Sequence, residues 1–189
     1  MSLLTKGIIN IDGFLLTPET SLEEIQDYFS VSPTEENSHP HIDLDAENYE
    51  IGGLPFKISI SFYDNKVNNV QLFPQVDHLI EEYQVEGPWK YPCAKNPRRN
   101  LAYFRDLRRI MDEWLSKQLG NPTSRSGRGT TYIINDTRFA TSSYDQTISR
   151  ESVRVGGCID ILYGWGKIVV ANPALARMAE LEQQDQDKQ

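Results

Sequence analysis

Asn96-Pro-Arg-Arg-Asn-Leu-Ala-Tyr-Phe-Arg-Asp-Leu-Arg-Arg-Ile-Met-Asp-Glu-Trp-Leu-Ser-Lys-Gln-Leu-Gly120 is the stretch whose reading decides the fold. Asn96 can cap the free N–H groups at a helix start. Pro97 suits the first helical position, where its missing N–H is not needed. Phe104, Leu107, Met111, Trp114, Leu115 and Leu119 recur at three- and four-residue steps and form one broad apolar stripe. Gly120 can close the helix in the left-handed conformation, and Pro122 stops it from continuing. The spacing predicts a helix of about six turns at 3.6 residues per turn. Strand-like segments lie on both sides of it, so both are expected to pack on its apolar face.

Toward the N-terminus, Phe56–Phe73 carries the clearest β signal. Ile58, Ile60 and Phe62 alternate with polar residues, Asp64-Asn65-Lys66 turns, and Val67, Val70 and Leu72 follow, which predicts a hairpin. Gly7–Leu16 reads as an opening strand or hairpin. Ser21 and Glu24 have the spacing of a capping box, with Leu22, Ile25, Tyr28 and Phe29 behind them at helical intervals. Residues 31–48 are polar, contain two prolines and read as a loop. Val76, Leu79, Ile80 and Tyr83 fit a short helix, and residues 87–96 an extended link. Beyond the long helix, residues 124–129 read as a flexible turn. Thr130–Ile134, Arg138–Tyr144, Val153–Tyr163 and Lys167–Val170 read as strands, the last two turned by Gly164-Trp165-Gly166. A short helix is expected from Ala174. Residues 179–189 form a polar tail expected to be disordered.

Two β passages resemble each other. Tyr49-Glu-Ile51-Gly52-Gly53 precedes Phe56–Tyr63, a turn and Val67–Pro74, while Val153-Arg-Val155-Gly156-Gly157 precedes Cys158–Tyr163, a turn and Lys167–Pro173. A helix precedes each at a distance. The pattern fits a duplicated helix-plus-sheet unit (residues 7–74 and 97–173), and equally the common grammar of hairpins. The expected fold is a single α+β domain over residues 1–178, with antiparallel hairpins packed on a long central helix.

Composition narrows the function. The 39% hydrophobic fraction is that of a globular chain, and no apolar run approaches the roughly 20 residues of a membrane span. Cys93 and Cys158 stand apart with no metal-ligand spacing, as idle thiols do in a reducing compartment, so a cytoplasmic protein is expected. The net charge of −8 is unevenly distributed. Residues 1–94 hold 16 acidic against 4 basic residues, a net of −12, whereas residues 95–189 hold 11 against 15, a net of +4. An acidic half repels nucleic acid and attracts basic partners. The two halves could also simply attract each other within the fold.

Three constellations could carry function. The acidic run Glu35, Glu36, Asp43, Asp45, Glu47 and Glu50 suits recognition of a basic protein. Within it, His39, His41, Asp43 and Asp45 would share one face of an extended segment, and imidazole with carboxylate suits zinc, manganese or iron. In the long helix, Arg98, Arg105 and Arg109 occupy one polar sector opposite the apolar stripe, where arginines bind phosphate or carboxylate in bidentate fashion. Ser126-Gly127-Arg128-Gly129-Thr130 precedes a strand and lacks the Lys-Ser/Thr of a phosphate-binding loop, and no nucleophile motif occurs. The leading expectation is a non-enzymatic, cofactor-free protein that binds another protein, of the acidic immunity or inhibitor type. The alternatives are a metal-dependent enzyme at His39/His41/Asp43/Asp45 and a binder of phosphate-bearing ligands on the arginine face.

Overall fold

The computed structural model describes residues 3–36, 39–83, 97–126, 129–134, 137–143 and 166–171, together with Met178. Three tight turns shape the first part of the chain. Asp12-Gly13 joins β1 (Ile9–Ile11) to β2 (Phe14–Leu16), Gly52-Gly53 joins β4 (His39–Ile51) to β5 (Leu54–Tyr63), and Asp64-Asn65 joins β5 to β6 (Lys66–Pro74). In each turn both central residues have positive φ, the backbone sign that type I′ turns require. At Gly52 (φ +58) glycine relieves the left-handed backbone, and a Cβ there would oblige the Gln118 amide to shift.

Between β2 and β4 lie α1 (Leu22–Phe29) and the short strand β3 (Thr34–Glu36). The capping box closes as its residues suggest, with Glu24 N–H donating to Ser21 Oγ (3.2 Å) and Ser21 N–H to Glu24 Oε2 (2.7 Å). Asn65, from the β5–β6 turn, accepts the Leu22 N–H and donates to Glu23. That turn therefore pins the start of α1.

After β6 come α2 (Asp77–Tyr83), α3 (Pro97–Leu119), β7 (Ser124–Ser126), β8 (Gly129–Ile134), β9 (Thr137–Ser143) and β10 (Gly166–Ala171). The chain is α+β and its strand pairings are antiparallel. Its strands do not stay separate hairpins: β3-β4-β5-β6-β10-β9-β8-β7 form one eight-stranded sheet, and β1–β2 a small second one. The junction is β6 against β10, with Leu72 opposite Ile168, Val70 opposite Val170 and Asn69 opposite Ala171.

Two segments read as irregular are strands. Residues 34–36 and 39–51 pair in the sheet because Ile42 and Leu44 bury on one side while Asp43 faces water on the other. Half of the positions are therefore polar by design. Likewise Ser124–Ser126 pairs with β8 instead of forming a flexible turn. The expected strand 153–163, the link 87–96, residues 164–165, both cysteines and the tail 179–189 lie outside the described residues, as does the helix expected from Ala174 apart from helical Met178. Gly166, expected in a turn, opens β10, which pairs with β9 on one edge and β6 on the other instead of forming a hairpin with the strand expected before it.

One apolar cluster unites these elements. Ile25 of α1, Ile42 and Leu44 of β4, Ile58 and Ile60 of β5, Val70 and Leu72 of β6, Tyr132 of β8 and Val170 of β10 are buried together with Leu107, Met111, Trp114 and Leu115 of α3. Trp114 is the clasp. Its ring meets Phe56 edge-on at 5.2 Å, and its Nε1–H reaches the carbonyls of Ile51 (3.1 Å) and Gly52 (3.2 Å). Gln118 donates to the same Gly52 carbonyl at 3.0 Å. Two side chains of α3 thus hold the β4–β5 turn.

Replacing Trp114 by alanine is expected to lower stability by about 3–5 kcal/mol. Trp114→Phe keeps a ring but removes the indole donor, and is expected to cost about 1–3 kcal/mol. Denaturant melts measure both. An alanine variant losing less than about 1 kcal/mol, the ordinary surface range, contradicts this packing.

Candidate functional site

The charged residues singled out in the sequence lie on two elements, the strand β4 and the helix α3. The β4–β5 ladder runs in register from His41–Ser61 to Leu44–Ile58 and resumes only at Tyr49–Phe56. Asp45, Ala46, Glu47 and Asn48 therefore face the single residue Lys57 and must bulge outward. Lys57 itself is buried, and its Nζ donates to the Asp45 carbonyl, which fastens the base of the bulge. Ala46, Glu47 and Asn48 are exposed, as are Asp43 before the bulge and Glu50 after it.

Tyr49 returns the strand to the core, edge-on to Phe29 at 5.8 Å. Its phenol is pushed above the ordinary value of 10 first by burial, then by the negative fields of Glu47, Asp12 and Asp45. Those carboxylates therefore act on one spot. Glu50 and Asp12 also line an open notch of about 330 Å³ with Gln118 and Ile51. Asp12 was not among the residues singled out in the sequence. It arrives through the β1–β2 turn, and nothing local signals its approach to β4.

His41 Nε2 lies 3.8 Å from the Asp43 carboxylate, a true ion pair only when the imidazole is protonated. The two stand two positions apart on one strand, where alternate residues share a face. No group of three or more metal-ligating side chains forms among the described residues. Glu35, Glu36 and His39 belong to β3 and β4, but their side chains lie outside the described set.

The second surface follows the helical repeat. Arg105, Arg108, Arg109, Asp112 and Ser116 stand at steps of three and four along α3, opposite the Leu107–Met111–Trp114 stripe. With Glu113, and with Arg125 contributed by β7, they line a groove of about 470 Å³. Arg108 approaches Asp112 at 3.6 Å and is mostly covered, and Asp112 also accepts from the hydroxyl of buried Thr130 in β8. Ser116 hydrogen-bonds the Tyr132 hydroxyl at 3.2 Å. Arg105 and Arg109 are well exposed and pair within the helix, with Asp106 (3.4 Å) and Glu113 (3.0 Å). Asp106 is held in its charged form chiefly by the Tyr83 hydroxyl of α2 at 2.7 Å, with Arg105 adding to it. Arg98 lies in the first turn of α3, its side chain outside the described set.

These pairings bear on the idea that the acidic half neutralises the helix. Among the described residues, Arg105 and Arg109 meet carboxylates of α3 itself, not those of β4. Comparison with protein-family models, with curated proteins and with solved structures returns no match. No helix among the described residues is long and apolar enough to cross a membrane.

The shared field around Tyr49 can be measured. Its phenol is expected to ionise above 10, and Glu47→Gln to lower that value part of the way, by tyrosine-selective carbon NMR. Because the folded state favours the neutral phenol, its contribution is complete below the unfolded value and is lost as pH rises through the folded one. Glu47→Gln should therefore lose less stability in alkali than the parent chain. An unchanged Tyr49 titration in that variant contradicts the shared field.

Proposed function

We propose that this chain is a non-enzymatic macromolecule-binding protein whose acidic β4 surface docks a basic protein partner, as an acidic immunity or inhibitor protein does. The observation that carries the reading is the four-residue bulge opposite Lys57, which holds Glu47 clear of the sheet between the exposed carboxylates of Asp43 and Glu50. A protein that merely needed solubility could scatter its acids over mobile loops. Here they ride on a strand anchored by Trp114 and Gln118 at one end and paired with β3 at the other. Fixed charge of one sign steers a basic partner and reduces the ordering cost of binding. Asp45 belongs to the same strand, and Asp12 approaches it through the β1–β2 turn. Glu35 and Glu36, in the neighbouring strand β3, complete the proposed recognition set.

The same proposal treats residues 7–74 and 97–173 as two copies of one helix-plus-sheet unit. In its support, each half places a helix before four antiparallel strands, counted inward from the edges β3 and β7. The two inner strands, β6 and β10, pair with each other at the centre of the sheet, and β9 stands beside β10 as β5 stands beside β6. The acidic surface and the arginine groove then belong to opposite halves of a single sheet.

Reversing Asp43, Glu47 and Glu50 to lysine tests the docking surface. Stability should change by no more than about 0.5 kcal/mol, since exposed charges contribute little. The parent chain, used as bait in host lysate, should retain a basic protein that the reversed variant does not. With that protein in hand, association should slow by about tenfold at low salt, and the gap should close as salt rises through the screening range. Equal retention and equal rates would falsify the docking assignment.

A further inference from the structure

We propose that the groove between α3 and β7 is a binding site for a compact anion carrying two adjoining phosphate groups. Four guanidinium groups, from Arg105, Arg108, Arg109 and Arg125, face this groove against the two carboxylates of Asp112 and Glu113. The groove is thus net positive on a protein of charge −8. Three of the four arginines meet a carboxylate of α3, and the remaining positive charge is concentrated on this one groove.

The groove has an inner and an outer part. Arg108, Asp112 and the Thr130 hydroxyl form a chain tied to β8, which fixes the floor. The outer arginines keep donors to spare. Arg105 engages Asp106 through Nε alone, and Arg109 engages Glu113 through Nη1 alone, so each retains further N–H groups. Arg125, on the opposite wall, is exposed and makes no ion pair among the described residues. Guanidinium groups on two facing elements can each offer a planar fork to phosphate oxygens. Two linked phosphates offer more oxygens to these forks than a single phosphate does. An extended nucleic acid backbone would meet the repulsion of the acidic half, which favours a short ligand. Exposed Glu113 is the competitor a ligand must displace from Arg109.

The test is titration of the intact protein with inorganic pyrophosphate, followed by nitrogen-detected NMR and calorimetry. Saturable binding is expected, with shifts confined to residues 105–116 and 124–126, and about tenfold tighter than for orthophosphate. Arg109→Gln and Arg125→Gln should each weaken it by about tenfold without lowering Tm, and Glu113→Gln should strengthen it severalfold. Arg108 is left intact because it belongs to the floor. Adenosine diphosphate separates the sources of the phosphates: tighter binding than pyrophosphate identifies a nucleotide, and equal binding the pyrophosphate unit alone. The proposal is overturned if binding fails to saturate in the millimolar range, if shifts fall outside the groove, or if citrate binds as well as pyrophosphate. None of these results bears on the acidic surface of β4, which stands or falls on its own partner.

Discussion

The pairing of β6 with β10 is the constraint on which the rest depends. Four residues on each strand, Asn69–Leu72 against Ile168–Ala171, turn two four-stranded ladders into one sheet. Without that ladder β6 would be an open edge, and the helices would have two small sheets to cover. With it, Val70 and Val170 sit opposite each other and bury in the cluster that α3 covers. The partners are separated by about half the chain, so closing this contact carries a loop-closure cost that only long-range burial offsets.

The electrostatics follow from that architecture. The sheet sets the acidic strand β4 in one half and the arginine-bearing α3 with β7 in the other. Neutralisation is local where it is described, with Arg108–Asp112 and Arg109–Glu113 both at the i, i+4 spacing of a helix. Among the described residues, then, these arginines of α3 do not neutralise the carboxylates of β4. Lys57 is one of only four basic residues in the first half, and it is buried beneath the bulge, serving the backbone of Asp45. The strand thus uses a cation for shape, and among the described residues no Lys or Arg pairs with the carboxylates of β4.

What the sequence revealed was what short-range chemistry specifies. The Ser21/Glu24 cap, the Asp64-Asn65 turn and the apolar stripe of α3 each rest on residues within a few positions of one another. β4 was missed because its outward positions are polar and its bulge interrupts alternation at the very place where the strand would be recognised. Pro40 and the acidic run then complete the look of a loop. The paired glycines 52–53, which in sequence merely precede the Phe56–Tyr63 strand, are themselves the β4–β5 hairpin turn, and Gln118 from 66 residues away holds its carbonyl. At the groove, Arg105 and Arg109 were visible as one helical sector. Arg125 could not be, because the β7–β8 hairpin that carries it to the helix had no local signature.

The most direct test of a single continuous sheet is NMR measurement of backbone contacts and amide exchange at its junction. The account predicts cross-strand contacts linking Val70 with Val170 and Leu72 with Ile168, and it predicts slow exchange in this part of β6, like that in the interior strand β5. Absent contacts, with β6 amides exchanging as fast as those of an unpaired edge, would contradict it.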